Sequence, residues 1–259
     1  MSASHFVWYE LMTADPPAAI DFYTQVVGWR AQDSGMPDMA YTLMLAGDAP
    51  VAGVARMPPG LQAIGAPPCW SGYVAVDDAD AAAARVLAAG GKVLRPAEDI
   101  PGVGRFAVVA DPQNASFVLF KPIPPAGGPV LPAADAPGTI AWRELRAMDG
   151  PTVFDFYATL FGWTRGEGLD MGPLGIYQLF EIDGVPCGAI MTQTPDTPDT
   201  PAPGWRFYFR VASIDAAAQR VARLGGAVTM EPEQVPDGQW MLTGRDPQGA
   251  LFALLSKTK

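Results

Sequence analysis

The chain has 259 residues, of which 49% are apolar and 17% charged, and carries a formal net charge of −10 at neutral pH. That length suits two cores of ordinary size better than one, and the apolar content excludes a disordered chain. The negative charge leaves no basic stripe to neutralise phosphates, so nucleic acid and an anionic membrane surface are not expected partners. Residues 6 to 13 alternate as a strand does, with Trp8, Glu10 and Met12 on one face and Tyr9, Leu11 and Thr13 on the other. Asp15 is placed to cap a helix whose first turn holds Pro16 and Pro17. Ala19, Phe22, Tyr23 and Val26 then recur at helical spacing until Gly28 stops it. Strands are predicted at roughly 29–32, 41–45 and 51–57.

The same order returns from Trp70. A strand runs through Val76, an Ala-rich helix is opened by Asp77 to Asp80 and closed by Gly90 and Gly91, and strands follow near 92–95, 105–109 and 117–121. Asp111-Pro112-Gln113-Asn114 is a turn between the last two. Residues 121 to 138 are rich in Pro, Gly and Ala without periodicity, as a semi-stiff linker is.

Beyond the linker the pattern repeats. Trp8-Tyr9-Glu10-Leu11 is echoed by Trp142-Arg143-Glu144-Leu145, Asp15 by Asp149, and Phe22-Tyr23 with Gly28-Trp29 by Phe156-Tyr157 with Gly162-Trp163. Trp70, Gly90-Gly91 and Asp111-Pro112-Gln113 are echoed by Trp205, Gly225-Gly226 and Asp246-Pro247-Gln248, one residue further out of step. A single βαβββ unit buries too little apolar face to stand alone, so the expectation is that units pair within each half. Pro195 to Pro201 reads as an extended connector between the third and fourth units.

Neither Cys69 nor Cys187 has a second cysteine or a histidine at metal-binding spacing, and both read as buried small hydrophobes. His5 is the only histidine, so a site needing two imidazoles cannot be built within one chain. No apolar run approaches the ~18 residues of a spanning helix, and the start lacks the basic region of a signal peptide. The expected compartment is the cytoplasm.

Four such units, with Phe-Tyr then Gly-Trp after the first helix, Val76-Asp77-Asp78 at the second helix and Asp-Pro-Gln before the last strand, resemble the vicinal oxygen chelate (glyoxalase/bleomycin resistance protein/extradiol dioxygenase) superfamily. The resemblance implies an α+β fold of four βαβββ modules in two tandem glyoxalase-like domains with cupped mixed sheets. Their expected bounds are 1–122 and 138–259, with a linker at 123–137. It also implies a small-molecule ligand, and a chain that is a monomer or a homodimer.

In relatives that hold a metal, ligands project into the cup from first and last strands. Here the corresponding positions carry Trp8 and Trp142, Ser71 and Arg206, Val118 and Ala253, and Val54 and Ile190. A catalytic metal needs about three N or O ligands, so neither a metal nor any other cofactor is expected.

If Trp8 and Trp142 face the cups, alternation brings Glu10 and Glu144 beside them. Ser71, Tyr73 and Ala75 would line the first cup, and Arg206, Tyr208 and Arg210 the second. Three readings follow. In the first, the protein binds an aromatic or polar organic ligand through Trp8, Ser71, Tyr73, Trp142, Arg206, Tyr208 and Arg210. In the second, it is a metal-independent lyase or isomerase with Glu144 or Glu10 as general base and Arg206 or Tyr208 stabilising charge. A metal-dependent lyase ranks third on ligand count. Against these stand structural roles: glutamates bound to backbone or arginine, tryptophans in the core with Trp70 and Trp205 foremost, and arginines at a solvated strand end. Arg105 and Trp240 are further candidates near the rim.

Overall fold

The structure is a computed structural model that describes residues 3–36, 40–124, 132–133, 135–194 and 203–259. Residues 195–201, read above as a connector, and 125–131 and 134 of the linker lie outside the described residues.

The first unit is β1 (Phe6–Thr13), α1 (Pro16–Val27), β2 (Arg30–Asp33), β3 (Tyr41–Ala46) and β4 (Ala49–Arg56). A short helix, α2 (Pro59–Ala63), leads to the second unit, β5 (Cys69–Ala75), α3 (Ala79–Ala88), β6 (Lys92–Ile100), β7 (Gly104–Ala110) and β8 (Ser116–Pro122). The third is β9 (Ile140–Ala147), α4 (Gly150–Phe161), β10 (Thr164–Asp170), β11 (Ile176–Ile182) and β12 (Val185–Thr192). The fourth is β13 (Gly204–Arg210), α5 (Ile214–Arg223), β14 (Ala227–Gln234), β15 (Trp240–Arg245) and β16 (Leu251–Ser256).

The helix signals read from sequence act as their chemistry dictates. The Asp15 and Asp149 carboxylates accept from the amides of Ala18 and Thr152, and each helix ends at a glycine in the left-handed region, Gly28 at φ 88° and Gly162 at φ 72°. Asp78 caps α3, and Ser213 does the same for α5.

Two elements depart from expectation. Strand β6 runs five residues past the predicted end at Arg95, through Pro96. It is the outermost strand of its sheet and shifts register between Arg95 and Glu98, so a missing amide is tolerated there. Helix α2 follows Pro58 and begins at Pro59, where no helix was predicted.

The strands form two eight-stranded mixed sheets, in the orders β2-β3-β4-β1-β5-β8-β7-β6 and β10-β11-β12-β9-β13-β16-β15-β14. Within each unit the first and fourth strands run parallel and the others antiparallel. By compactness, however, the chain divides into one body drawn from residues 1–7, 71–129 and 143–205 and another drawn from 8–70, 130–142 and 206–259. Each body thus takes one βαβββ unit from either half.

The first body has a core of Val74, Ala82, Val86, Phe117 and Leu119 from the second unit, packed with Phe154, Tyr157, Phe161, Trp163 and Phe180 from the third. The second has edge-to-face aromatic packing of Phe22, Tyr23, Trp29 and Trp70 with Phe209 and Phe252.

The repeated motifs meet inside these cores. In one body the Tyr23 hydroxyl accepts from Trp70 Nε1 at 2.9 Å and donates to Asp246 Oδ2 at 3.2 Å. In the other, Tyr157 accepts from Trp205 Nε1 at 3.1 Å and donates to Asp111 Oδ2 at 3.1 Å. Each aspartate also holds its own turn, accepting from the amides of Gln113 and Ala115 or of Gln248 and Ala250. The Phe-Tyr, Trp and Asp-Pro-Gln motifs are therefore three parts of one buried hydrogen-bonded chain, made twice. Trp29 and Trp163 close equivalent ends by donating to the carbonyls of Gly138 and Ser4.

Candidate functional site

On β1, Tyr9, Leu11 and Thr13 are buried, whereas Trp8 and Glu10 on the alternate face are only partly covered. Both turn to Tyr41 of β3. Trp8 Nε1 donates to the Tyr41 hydroxyl at 2.8 Å, and that hydroxyl is hydrogen-bonded to the Glu10 carboxylate. Burial, and then the charge on Glu10, hold the phenol well above the usual tyrosine range. The space for its ring comes from Gly53, opposite Glu10 in the parallel pairing of β1 with β4, since any Cβ there would overlap the ring. Tyr41 was not among the sequence candidates, and the glycine facing Glu10 was the available signal.

The equivalent glutamate of the second half is bound by an arginine. Glu144 is buried and accepts from Arg146 Nε at 2.7 Å, while Arg146 Nη1 lies 3.3 Å from Met191 Sδ. Position 146 corresponds to Met12 in the first repeat, and Ala189, opposite Glu144 in the parallel pairing of β9 with β12, stands where the first repeat has Gly53. The guanidinium beside Glu144 that sequence reasoning missed lies two residues along its own strand.

Ser71 and Tyr73 are both buried on β5. Tyr73 packs edge-to-face on Phe120 at 5.7 Å and stands opposite Val118 in the parallel pairing with β8.

On β13, Phe207 and Phe209 enter the aromatic core. Arg206, Tyr208 and Arg210 alternate to the opposite face. There Tyr208 joins Met241, Ala253 and Leu255 in a second apolar cluster, with Ala141, Trp142, Met230 and Val235 packed against it. Arg210 Nη1 donates to Gln239 Oε1 at 2.7 Å, and its Nη2 lies 3.8 Å from Asp135 Oδ1. Arg206 is 5% exposed, and its Nε and Nη2 have no hydrogen-bond partner among the described residues.

Arg105 and Trp240 do not serve a rim. Arg105 points to the helix side, where Nε and Nη2 bind both oxygens of Asp80 in the first turn of α3, at 2.7 and 3.0 Å, and Nη1 binds Asp99. Alternation along β15 sets Trp240 opposite to Met241 of the apolar cluster, and Lys259 Nζ lies 4.8 Å over its ring. Among the described residues no three His, Cys, Asp or Glu side chains gather closely enough to hold an ion. The family's ligand positions carry indole, guanidinium or hydrocarbon side chains and one hydroxyl, a donor set that does not fit a transition metal.

Four βαβββ units in two mixed sheets, with side chains gathered on the faces away from the helices, define a glyoxalase-type protein. The profile of the Glyoxalase/Bleomycin resistance protein/Dioxygenase superfamily matches residues 4–119 and again 139–254, and the chain belongs to that superfamily. It is 33% identical over 250 residues to the protein named "Putative glyoxylase CFP32" of Mycobacterium tuberculosis, covering 96% of this chain and 93% of that one. It is also 33% identical over 260 residues to the anthracycline biosynthesis protein DnrV of Streptomyces peucetius, covering 96% and 91%. Among solved structures, the Mn(II)-bound glyoxalase of Novosphingobium aromaticivorans matches with a TM-score of 0.67 at 17% identity, over 100% of this chain and 83% of that one. The 2,2',3-trihydroxybiphenyl 1,2-dioxygenase of Sphingomonas wittichii matches with a TM-score of 0.67 at 14% identity, over 98% and 91%.

Proposed function

We propose that this protein binds a small organic molecule with an aromatic or apolar body on the β13–β16 face, without a metal. The observation that carries the reading is the second apolar cluster of Tyr208, Met241, Ala253 and Leu255, flanked by Trp142, on the sheet face opposite the aromatic core. Folding alone asks for one packed face per sheet. A second one, with guanidinium groups on the same strand, has the composition of a ligand wall. The relative named for anthracycline biosynthesis supports a planar aromatic ligand, since anthracyclines are fused-ring aromatics.

A metal-dependent lyase is disfavoured by the donor set described above. A metal-independent enzyme is a weaker second reading, favoured by the Glu10–Tyr41–Trp8 network alone. Glu144 is a poorer candidate, because its carboxylate is already bound by Arg146.

The test is titration of EDTA-treated protein with a fluorescent fused-ring aromatic that carries no cationic group, such as 1-pyrenebutyrate. Saturable binding is expected, unchanged by EDTA and weakened at least about tenfold by Leu255→Glu, which replaces an apolar part of the wall with a carboxylate. Absence of binding, or binding that EDTA abolishes, would overturn the reading. Turnover of any bound compound that disappears in Glu10→Gln would favour the enzyme instead.

A further inference from the structure

Among the described residues Arg210 and Arg220 each leave only Nε without a hydrogen-bond partner, whereas Arg206 leaves two nitrogens so. Arg146 is held by Glu144 and Met191, Arg210 by Gln239 and Asp135, and Arg105 by Asp80, Asp99 and the Ala97 carbonyl. Arg206 is more buried than any of these, yet its Nε and Nη2 are unsatisfied among the described residues. A buried charge without partners is costly and persists where something else completes it.

The identity of the two unsatisfied atoms says what that is. Nε and Nη2 form the side edge of the guanidinium, whose two parallel N–H vectors match the two oxygens of a carboxylate. This chain shows that match at Arg105, whose Nε and Nη2 take Asp80 Oδ2 and Oδ1 at 2.7 and 3.0 Å. Alternation along β13 places Arg206 on the strand face that carries Tyr208 and the apolar cluster, with the same edge covered by its neighbours. Among the described residues Asp135 lies beside Arg210 and no carboxylate binds the Nε/Nη2 edge of Arg206, a single open fork that suits a monoanion better than a doubly charged phosphate.

Resting on the binding reading above, we propose that the Nε/Nη2 edge of Arg206 receives a carboxylate of the ligand. The molecule bound on this face is then a carboxylic acid with an apolar body lying along Tyr208, Met241 and Leu255.

The experiment measures the melting temperature with tens of millimolar sodium benzoate, benzamide or sodium chloride, for the parent protein and for Arg206→Gln, Arg206→Lys and Arg206→Met. Benzoate is expected to raise the parent's melting temperature more than benzamide or chloride does. Arg206→Gln should abolish that excess. Arg206→Lys, which keeps the charge but not the fork, should retain a fraction of it. Without additive, Arg206→Met is expected to melt roughly 2 °C or more above the parent, because an unpaired buried charge is gone.

Equal shifts from benzoate and benzamide would overturn the carboxylate proposal and leave the apolar site standing. No shift from either would overturn both. A benzoate effect that survives in Arg206→Gln, or an Arg206→Met variant that melts below the parent, would assign Arg206 to folding and sink the proposal.

Discussion

Glu10 and Glu144 occupy the same position in two copies of one motif, but the residues two places along and across the next strand differ. Met12 leaves Glu10 to Tyr41, whereas Arg146 binds Glu144 directly in a setting where neither charge has much water. Breaking a buried pair from one side leaves the other charge stranded. Glu144→Gln is therefore expected to cost about 3 kcal/mol in urea denaturation, most of it recovered in Glu144→Gln/Arg146→Met. Additive losses in the double variant would show that the two residues act independently.

At the Glu10 network the sensitive atom is one that is absent. Gly53→Ala puts a methyl into the Tyr41 ring and should cost about 1–3 kcal/mol by overpacking. In the background of Tyr41→Leu the same change should cost clearly less, and an equal cost there would sink the assignment. Alternation alone brings Arg206, Tyr208 and Arg210 to one face and so was legible in the sequence. That Nε and Nη2 of Arg206 have no hydrogen-bond partner among the described residues was not, because it depends on which acceptors the fold brings near.

Among elements, the Asp-Pro-Gln turns carry more than loop geometry. Burial pushes the carboxyls of Asp111 and Asp246 above the usual aspartate range, although their backbone and tyrosine hydrogen bonds pull the other way. A carboxyl raised in the folded state contributes stability that is fully present below its unfolded pKa and lost as the pH rises through the folded value. Asp111→Asn keeps an oxygen for the amides of Gln113 and Ala115 but offers the Tyr157 hydroxyl a donor instead of an acceptor. Its deficit in denaturation midpoint should be largest near ~pH 3 and shrink toward ~pH 7, where the parent has lost its own advantage and the variant has not. A deficit that widens with pH would contradict burial as the dominant influence.

The helix cap at Asp149 has the opposite sign. The amide and hydroxyl of Thr152 hold its carboxyl below the usual range, so its contribution is present at neutral pH and fades on acidification. Caps and periodicity made these elements legible in the sequence. Strand β6 was cut short there because a proline signals a stop until it is known to lie on a sheet edge.

For the whole molecule, duplication that made the repeat easy to see also hid its assembly. Each half holds a tyrosine, a tryptophan and an aspartate of the same buried chain, and nothing in the sequence says which aspartate serves which tyrosine. The structure answers with separations of 223 residues for Tyr23 and Asp246 and 46 for Tyr157 and Asp111, so both bonds join opposite halves. Cutting the linker should therefore not release two self-sufficient domains. A fragment of residues 1–124 keeps Tyr23 and Trp70 without Asp246, and Asp111 without Tyr157. It also uncovers Phe22 and Tyr23, which the full chain packs against Phe209 and Phe252. Mixed with a fragment of residues 132–259, it is expected to form a 1:1 complex that restores near-ultraviolet tryptophan dichroism. Alone, either fragment should pair with a second copy of itself, because each carries equivalent motifs, or fail to fold. Size-exclusion chromatography with light scattering distinguishes these outcomes, and a folded, monomeric 1–124 fragment would show that each half builds its core without the other.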